Sequence, residues 1–310
     1  IFAKEIHVYS GEGADQVTVL GSLSATDAFT IDSGPGSDTV TVAEVGAITA
    51  GSVSVDTGAG SDIVQIDGAV TARGVISVTT GTGADAVSIT GSMAAAGTYV
   101  STGDDPDVVT IAVDDSEGRL LQGYVQVKGG GGTDWIIVNK LHTRAAAMDL
   151  DGEGGRDLYY INTRGDLTDQ LTRVYDTGAS GVDEITTNGT SADDVFLLRA
   201  MAPTGGATVP DTGFVAKLNG TGNDDQPRVE RFNYRGIEGI TLNTLYGNDY
   251  VASDDALVVF TVNGGVGDDR FQVGQVFKSP RQDDPQYANI AAGDVFATLE
   301  ITRGWLSNGV

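Results

Sequence analysis

A glycine-rich motif that returns about every 23 residues is the feature of this sequence that most constrains its fold. It reads GEGADQVTV from Gly11, GPGSDTVTV from Gly34, GAGSDIVQI from Gly58 and GTGADAVSI from Gly81, and less regularly GDDPDVVTI from Gly103 and GGGTDWIIV from Gly130. The motif aspartates are Asp15, Asp38, Asp62, Asp85, Asp107 and Asp134, at steps of 23, 24, 23, 22 and 27 residues. A repeat of this length is typical of one coil of a solenoid.

Alternating apolar residues flank each motif. After the aspartate, the apolar side chains recur at every second position, as at Val17 and Val19 or Val64 and Ile66, and a shorter alternation such as Val53 and Val55 precedes the glycines. A period of two is that of a strand with one buried face. Each repeat therefore predicts a strand, a Gly-Gly-Asp corner, a second strand and a variable return loop such as AEVGAITAG.

A single coil cannot bury its own apolar face, whereas coils stacked about 4.8 Å apart pair every strand with the strands above and below it. The sequence therefore predicts an all-β chain, a parallel β-solenoid or β-helix with about 23 residues per coil. Right-handed winding is expected because parallel crossovers are nearly always right-handed.

The repeat divides the chain into a regular and an irregular part of one elongated body. Residues 1–200 are predicted to form regular coils, with further corners at Asp157, Asp183 and Asp193. Residues 201–310 are predicted to continue the solenoid less regularly, with loop insertions at 201–213 and 278–294 and a full motif again at Asp269.

The charge of the chain excludes some partners and favours others. With 43 acidic and 18 basic residues, the formal net charge is −25. Nucleic acids and anionic membranes need a basic surface, so neither is expected as a partner, and no segment is predicted to insert into a membrane. The acidic balance favours cations.

The corner combines glycines, which allow carbonyl oxygens to approach a ligand closely, with an acidic side chain at the same point of every coil. Carboxylates stacked about 4.8 Å apart repel by about 0.9 kcal/mol per pair even in water. Ca²⁺ would offset this repulsion, since it binds six to eight carboxylate and carbonyl oxygens. A second polar position lies six residues before the corner aspartate. The candidate Ca²⁺ ligands are Asp15, Asp32, Asp38, Asp56, Asp62, Asp85, Asp107, Asp134, Asp151, Asp157 and Asp269.

The pattern GxGxDxVxI resembles the glycine-rich nonapeptide of RTX-type, or hemolysin-type, calcium-binding proteins, whose β-roll turns bind Ca²⁺ between coils. The resemblance is clearest at 11–19, 34–42, 58–66, 81–89 and 265–273. One difference is that the RTX repeat returns every nine residues, whereas this chain has one such corner per coil.

The C-terminal segments DDRFQVGQVF and GDVFATLEITRGWLSNG are similar to segments of very large repetitive bacterial surface proteins of the hemolysin-type calcium-binding class. This similarity covers residues 230–310. It implies a structural role in a secreted or cell-surface protein, as an adhesin stalk, a matrix component or a filament subunit, rather than a toxin activity.

Two other interpretations stay open. Aspartate is common in glycine-rich corners because its side chain binds nearby backbone N–H groups, which is a purely structural role. The hydroxyl side chains five residues before the aspartates favour a ladder that closes the turn; they are Ser10, Ser33, Thr57, Thr80 and Thr102. The second alternative is a carbohydrate-active β-helix enzyme, a polysaccharide lyase, hydrolase or epimerase, with Asp104, Asp105 and Asp107 as candidate carboxylates.

We do not expect this chain to be an enzyme. The chain has only two histidines, His7 and His142, and neither stands beside a serine elbow. Uncapped coils at Ile6 to Tyr9 and near Ala297 to Thr302 predict end-to-end self-association into a filament, or continuation in a longer chain.

Overall fold

The fold is a parallel β-solenoid of about ten turns, with equivalent positions roughly 23 residues apart. A computed structural model describes residues 1–114, 118–139, 143–165, 170–201, 211–221, 227–253 and 256–274. These residues contain strands and no α-helix, so none of them forms a helix that could cross a membrane. The all-β, solenoidal prediction is confirmed.

The described residues form two sheets that run along the solenoid. Sheet A has fifteen strands: β1 (Phe2–Tyr9), β3 (Ser22–Asp32), β5 (Ala47–Ala50), β6 (Ser52–Asp56), β8 (Ala69–Ala72), β9 (Val75–Thr79), β11 (Met93–Asp104), β13 (Leu121–Gly132), β15 (Thr143–Gly155), β17 (Gln170–Tyr175), β19 (Val195–Ala200), β20 (Gly213–Thr221), β21 (Pro227–Arg235), β23 (Tyr250–Ser253) and β25 (Arg270–Val273). Sheet B has ten strands: β2 (Gln16–Val19), β4 (Thr39–Val42), β7 (Ile63–Ile66), β10 (Ala86–Ile89), β12 (Val108–Ile111), β14 (Trp135–Asn139), β16 (Leu158–Asn162), β18 (Glu184–Asn188), β22 (Gly239–Asn243) and β24 (Val259–Asn263).

The register of sheet B follows the repeat. Val40 pairs with Val64 in the next coil, and Val64 pairs with Val87. Val64 is fully buried, whereas Gln65 is exposed. The inward apolar residues of successive coils form one continuous core along the axis. The alternation after Asp38, Asp62, Asp85, Asp107 and Asp134 indicated the buried face correctly, whereas Phe271 and Val273 after Asp269 are exposed.

The return segments differ from the prediction. AEVGAITAG and GSMAAAGTY were predicted as loops, but Ala47–Ala50 forms β5 and Met93–Asp104 forms β11. Both lie in sheet A, where β5 pairs with β3 and β8. The segment AITA also alternates buried and exposed side chains, and the stacking of coils lets even such a short segment complete its hydrogen bonds with neighbours.

The solenoid changes after β18 because an antiparallel meander enters sheet A. Strands β19 and β20 are antiparallel, as are β20 and β21, and β21 then pairs in parallel with β17. Side chains on both faces of β19 are buried. One face of β19 contributes to the main core. On the other face, Leu197 packs in a second cluster with Phe214 and Ala252.

The meander is the physical reason why the sequence periodicity loosens near residue 190. A strand that is buried on both faces, such as VFLLRA, has no two-residue alternation. Of the two predicted insertions, residues 202–210 of the first and all of 278–294 lie outside the described residues. The strand β20 begins at Gly213, where the first insertion was predicted to end.

Candidate functional site

The corner glycines bring the backbones of successive coils into close contact. Gly36 and Gly60 have φ values of +153° and +143°, which favour glycine. A Cβ atom on Gly60 would lie 1.6 Å from the carbonyl oxygen of Gly36. The corners also bind each other directly, since Gly36 N–H donates to the Ala59 carbonyl at 2.8 Å and Gly60 N–H to that of Thr82 at 2.7 Å. The motif therefore specifies a corner that stacks on copies of itself.

The motif aspartates form a continuous ladder. The backbone N–H of each donates a hydrogen bond to the carboxylate Oδ1 of the aspartate one coil further on. These bonds are 2.7 to 2.9 Å long and join Asp15, Asp38, Asp62, Asp85, Asp107, Asp134, Asp157 and Asp183 in that order. Asp183 N–H donates to Glu238 Oε2 at 2.7 Å, so a glutamate ends the series. The structure thus brings together Asp15 to Asp157 as one column, as the repeat predicted.

The other carboxylate oxygen of the ladder is buried and poorly satisfied. Oδ2 has no hydrogen-bond partner of normal geometry among the described residues in seven ladder aspartates: Asp15, Asp38, Asp62, Asp85, Asp107, Asp134 and Asp157. The same holds for Asp249, which lies outside this ladder. A buried oxygen of this kind costs free energy unless it binds a proton or a cation.

Burial raises the pKa of several ladder aspartates. The pKa of Asp107 and that of Asp157 rise to about 6, and those of Asp134 and Asp183 rise to about 7. In each case loss of water contributes most, neighbouring carboxylates add to the rise, and the backbone N–H bond opposes it. The pKa of Asp62 rises for the same reasons.

The position five residues before each aspartate modifies this environment. The hydroxyls of Thr57, Thr80 and Thr102 lie beside the carboxylates of their own coils and lower the carboxylate pKa. Thr102 Oγ1 also donates to the Gly129 carbonyl at 2.9 Å. The predicted hydroxyl ladder is therefore present in these coils. In the next two coils the equivalent residues are Gly129 and Gly152, which have no hydroxyl.

The second predicted set of ligands does not join the column. Asp32 and Asp56 pair with each other in sheet A, but Asp32 is half-buried and Asp56 exposed, while the residues on either side of each are buried. They therefore lie on the outer face of the sheet. Asp151 accepts hydrogen bonds from Thr177, and its charge raises the pKa of Asp157 and Asp176.

A second, shorter ladder lies on the opposite edge of the solenoid. Asp194 N–H donates to Asp249 Oδ1 at 2.7 Å, and Asp249 N–H to Asp269 Oδ1 at 3.0 Å. In the first column, each aspartate lies where the chain passes from a strand of sheet A to a strand of sheet B. Asp194, Asp249 and Asp269 lie where the chain passes from sheet B back to sheet A. Asp269 thus belongs to a different column from the other predicted ligands. The ladder residue in its first coil is Asp194, not Asp193 as the motif suggested.

The sequence contained a signal for this second column. Asp183 and Asp194 are 11 residues apart, as are Glu238 and Asp249, which is half a coil. Half a coil after one corner, the chain has reached the opposite edge. The spacing at 183 to 194 therefore indicates corners on both edges.

Two further features were missed by the sequence analysis. An asparagine ladder at the ends of sheet B strands has side-chain amide bonds of 2.5 to 2.9 Å and comprises Asn139, Asn162, Asn188, Asn243 and Asn263. The recurring Asn at the ends of WIIVN, LYYIN and EITTN was its signal. The second feature is Asp176, which lies just after β17 and is buried beside the main column, with carboxylate oxygens of Asp157, Asp176 and Asp183 within 4.8 Å of one another.

Comparison with protein-family models, with curated proteins and with solved structures finds no match to this chain.

Proposed function

We propose that this chain is a rigid structural segment of a secreted or cell-surface repetitive protein, stabilised by Ca²⁺ bound to its aspartate columns. The observation that carries the proposal is the unbroken axial bonding of the corners. Backbone, carboxylate and amide groups bond from each coil to the next along most of the described length. Such a stack suits a spacer or filament, because every coil is supported by its two neighbours.

The oxygen atoms of the column suit Ca²⁺ binding at Oδ2 of the aspartates. The Oδ1 atoms already accept backbone N–H groups, and the carbonyl oxygens of Pro35, Ala59 and Thr82 accept the corner glycine N–H groups. The buried Oδ2 atoms have no such bonds of normal geometry. A hard cation that prefers oxygen ligands would bind these Oδ2 atoms and offset the repulsion between stacked carboxylates.

The first coil supports self-association. Strand β1 pairs with β3 alone among the described residues, and β2 with β4 alone. Their other edges carry unpaired backbone groups, which a coil of another copy or of a longer chain can extend. The second predicted edge, near 297–302, lies outside the described residues.

Thermal unfolding with and without Ca²⁺ tests the calcium part of this proposal. A cation that binds only the folded state stabilises it by about 2.7 kcal/mol at a hundredfold excess over its dissociation constant. The melting temperature is expected to rise in millimolar Ca²⁺ and to fall in EGTA, with Mg²⁺ at the same ionic strength as the control. Equal melting temperatures in all three buffers, with no bound metal by mass analysis, would contradict it.

A carbohydrate-active enzyme remains the second candidate, and one observation favours it. A shallow groove on the outer face of sheet B is lined by Arg156, Tyr160, Glu184 and Glu238. Arg156 is already paired with Glu184 at 2.6 Å, and Glu238 accepts the Asp183 N–H, which suits a structural use of these charges. Incubation with acidic and neutral polysaccharides separates the candidates: release of reducing ends or unsaturated uronates would overturn the structural proposal.

A further inference from the structure

One coil of the solenoid places a carboxylate where the others have a hydroxyl or no side chain. The N–H of Asp176 donates to the Arg235 carbonyl at 3.0 Å, as those of Ser33 and Thr57 donate to Asp56 and Thr79 at the same distance. Asp176 therefore occupies the hydroxyl position of its coil. Its corner is two residues longer than the usual one, with seven residues from Asp176 to Asp183 instead of five.

The structure around Asp176 holds its carboxylate in one place. Tyr159 Oη donates to Asp176 Oδ2 at 2.6 Å and accepts the Gly152 N–H at 2.6 Å. Gly178 N–H donates to Asp176 Oδ1 at 2.8 Å. Asp157, Asp176 and Asp183 are each at most 5% exposed. These contacts order the Asp176 carboxylate before any ligand binds.

Asp157 supplies an unpartnered oxygen to this cluster. Its Oδ1 accepts the Asp134 N–H at 2.9 Å, but its Oδ2 has no hydrogen-bond partner among the described residues. A Cβ atom on Gly152 would lie 2.3 Å from that Oδ2. The oxygen thus points into the space that Gly152 leaves open, next to the Gly152–Tyr159–Asp176 hydrogen bonds.

The charges of the three carboxylates are not balanced by a basic side chain. The pKa values of Asp157, Asp176 and Asp183 are shifted by burial, by backbone N–H groups, by the Tyr159 hydroxyl and by other carboxylates. Within the described part of the chain, no lysine or arginine contributes to these shifts. Buried carboxylates that lack a cationic partner are strongly destabilising, so this cluster needs a bound cation or bound protons.

We propose that Asp157, Asp176 and Asp183 bind one Ca²⁺ ion inside the solenoid. The inference deepens the proposed function and rests on it in taking Ca²⁺ as the cation. Ca²⁺ bonds oxygen at 2.3 to 2.6 Å, so oxygens on one ion lie within about 5 Å of each other, as they do here. Mg²⁺ requires about 2.0 to 2.1 Å and retains several waters, which a cluster so deeply buried does not favour.

The experiment counts tightly bound Ca²⁺ by mass analysis after gel filtration, in the wild-type chain and two variants. Asp176→Asn keeps the shape of the side chain and removes one charge from the cluster. Asp27→Asn makes the same change at an exposed aspartate that pairs with Lys4 and belongs to neither column. Asp176→Asn is expected to lose one equivalent that wild type and Asp27→Asn retain, and to show a smaller Ca²⁺-dependent rise in melting temperature than either.

A second measurement does not depend on the folding of Asp176→Asn. Tb³⁺ replaces Ca²⁺ at oxygen sites and emits when a nearby tyrosine is excited, and Tyr159 Oη lies 2.6 Å from Asp176 Oδ2. Tyr159→Phe is expected to reduce the Ca²⁺-displaceable emission, whereas Tyr160→Phe, on the outer face, is expected to retain it.

The outcomes distinguish this site from the calcium proposal as a whole. Equal Ca²⁺ counts in wild type and Asp176→Asn, or equal Tb³⁺ emission in wild type and Tyr159→Phe, would overturn the site and leave Ca²⁺ binding at the other corners. Absence of Ca²⁺ from every variant and from wild type would overturn both, and protons would then neutralise the cluster.

Discussion

At the scale of the residue, each corner aspartate has two different oxygens. Oδ1 of Asp62 accepts the Asp38 N–H at 2.7 Å, while Oδ2 is buried without a partner of normal geometry. The same side chain therefore accepts a backbone N–H of the preceding coil through one oxygen and retains a second, unsatisfied oxygen. The first property explains the repeat, and the second makes the column sensitive to protons and cations.

In metal-free buffer, the free energy of unfolding is expected to fall as pH rises from about 4 to about 7. The folded-state pKa values of Asp107 and Asp157 are about 6 and those of Asp134 and Asp183 about 7, against an ordinary 3.8. The folded chain thus holds protons that the unfolded chain releases. The stability this adds is complete below the unfolded pKa and is lost as pH rises through 6 and 7.

Each such proton makes the free energy of unfolding fall by about 1.4 kcal/mol per pH unit within that window. Urea titrations followed by circular dichroism at pH 4, 5, 6 and 7 measure the slope, with EDTA to remove metal and 1 M NaCl to screen surface charge. A free energy that is flat or rises with pH would contradict the burial of these carboxylates.

The corner glycines allow a prediction with two controls. Gly60→Ala combines an unfavourable φ of +143° with a Cβ that would lie 1.6 Å from the Gly36 carbonyl oxygen. Gly13→Ala has a φ of +117° but no atom within 4 Å, and Gly21→Ala has neither problem. Positive φ costs about 1–2 kcal/mol for a residue with a side chain.

The expected order of destabilisation is Gly60→Ala, then Gly13→Ala, then Gly21→Ala, which should change the free energy of unfolding by no more than about 0.5 kcal/mol. Thermal unfolding by circular dichroism measures all three. Equal losses at Gly60 and Gly13 would show that close stacking of the corners is not what requires glycine.

At the scale of the element, sheet B strands are short, but their neighbours set their register. Strand β7 has only four residues, of which Val64 and Ile66 face the core. It pairs in parallel with β4 on one side and β10 on the other. A slip of one residue would turn Gln65 inward in a column of valines, so the register is strongly specified.

Val64→Asp is expected to unfold the solenoid locally, whereas Gln65→Asp is expected to leave it folded. Val64 is 0% exposed and Gln65 is exposed. An unpaired carboxylate in the core costs several kcal/mol or must take up a proton. Limited proteolysis and circular dichroism of the two variants compare them directly, and similar protease resistance of both would contradict the observed register.

At the scale of the whole molecule, the ladders join many weak contacts into one stack. The strands of each coil pair with those of the coils next to it, so its stability depends on having neighbours. If the proposed self-association occurs at the exposed edge of β1, another coil that pairs there is expected to add stability. A net charge of −25 opposes such contact between copies, and a divalent cation reduces that opposition.

His7→Pro is expected to suppress self-association in millimolar Ca²⁺, while His7→Ala retains it. Ser10 N–H donates to the Asp32 carbonyl at 3.1 Å, and N–H directions alternate along a strand, so His7 N–H points away from β3 to the open edge. Proline removes this donor and is tolerated on an edge strand. Sedimentation velocity at increasing protein concentration measures the effect.

Two outcomes would count against edge association. A monomeric wild type at high concentration in Ca²⁺ would show that β1 does not recruit another copy. Equal association of wild type and His7→Pro, with both folded, would place the contact elsewhere on the surface.

The sequence by itself determined the repeating part of this protein. Glycine spacing, the aspartates and the alternation at Val40, Val64 and Val87 predicted the coil length, the inward face and the first aspartate column. They could do so because each is a local property: positive φ at the glycines, a two-residue strand period and a fixed coil length repeat the same geometry in every coil.

Only the tertiary structure decided where the chain departs from that repeat. The antiparallel strands β20 and β21 have no local signal that separates them from solenoid strands, because partner choice depends on which edge is free when the coil stacks. Asp176 reached Asp157 and Asp183 through a lengthened corner, and Asp194 began a column on the opposite edge. Such placements depend on contacts between coils, which residues close in sequence do not specify.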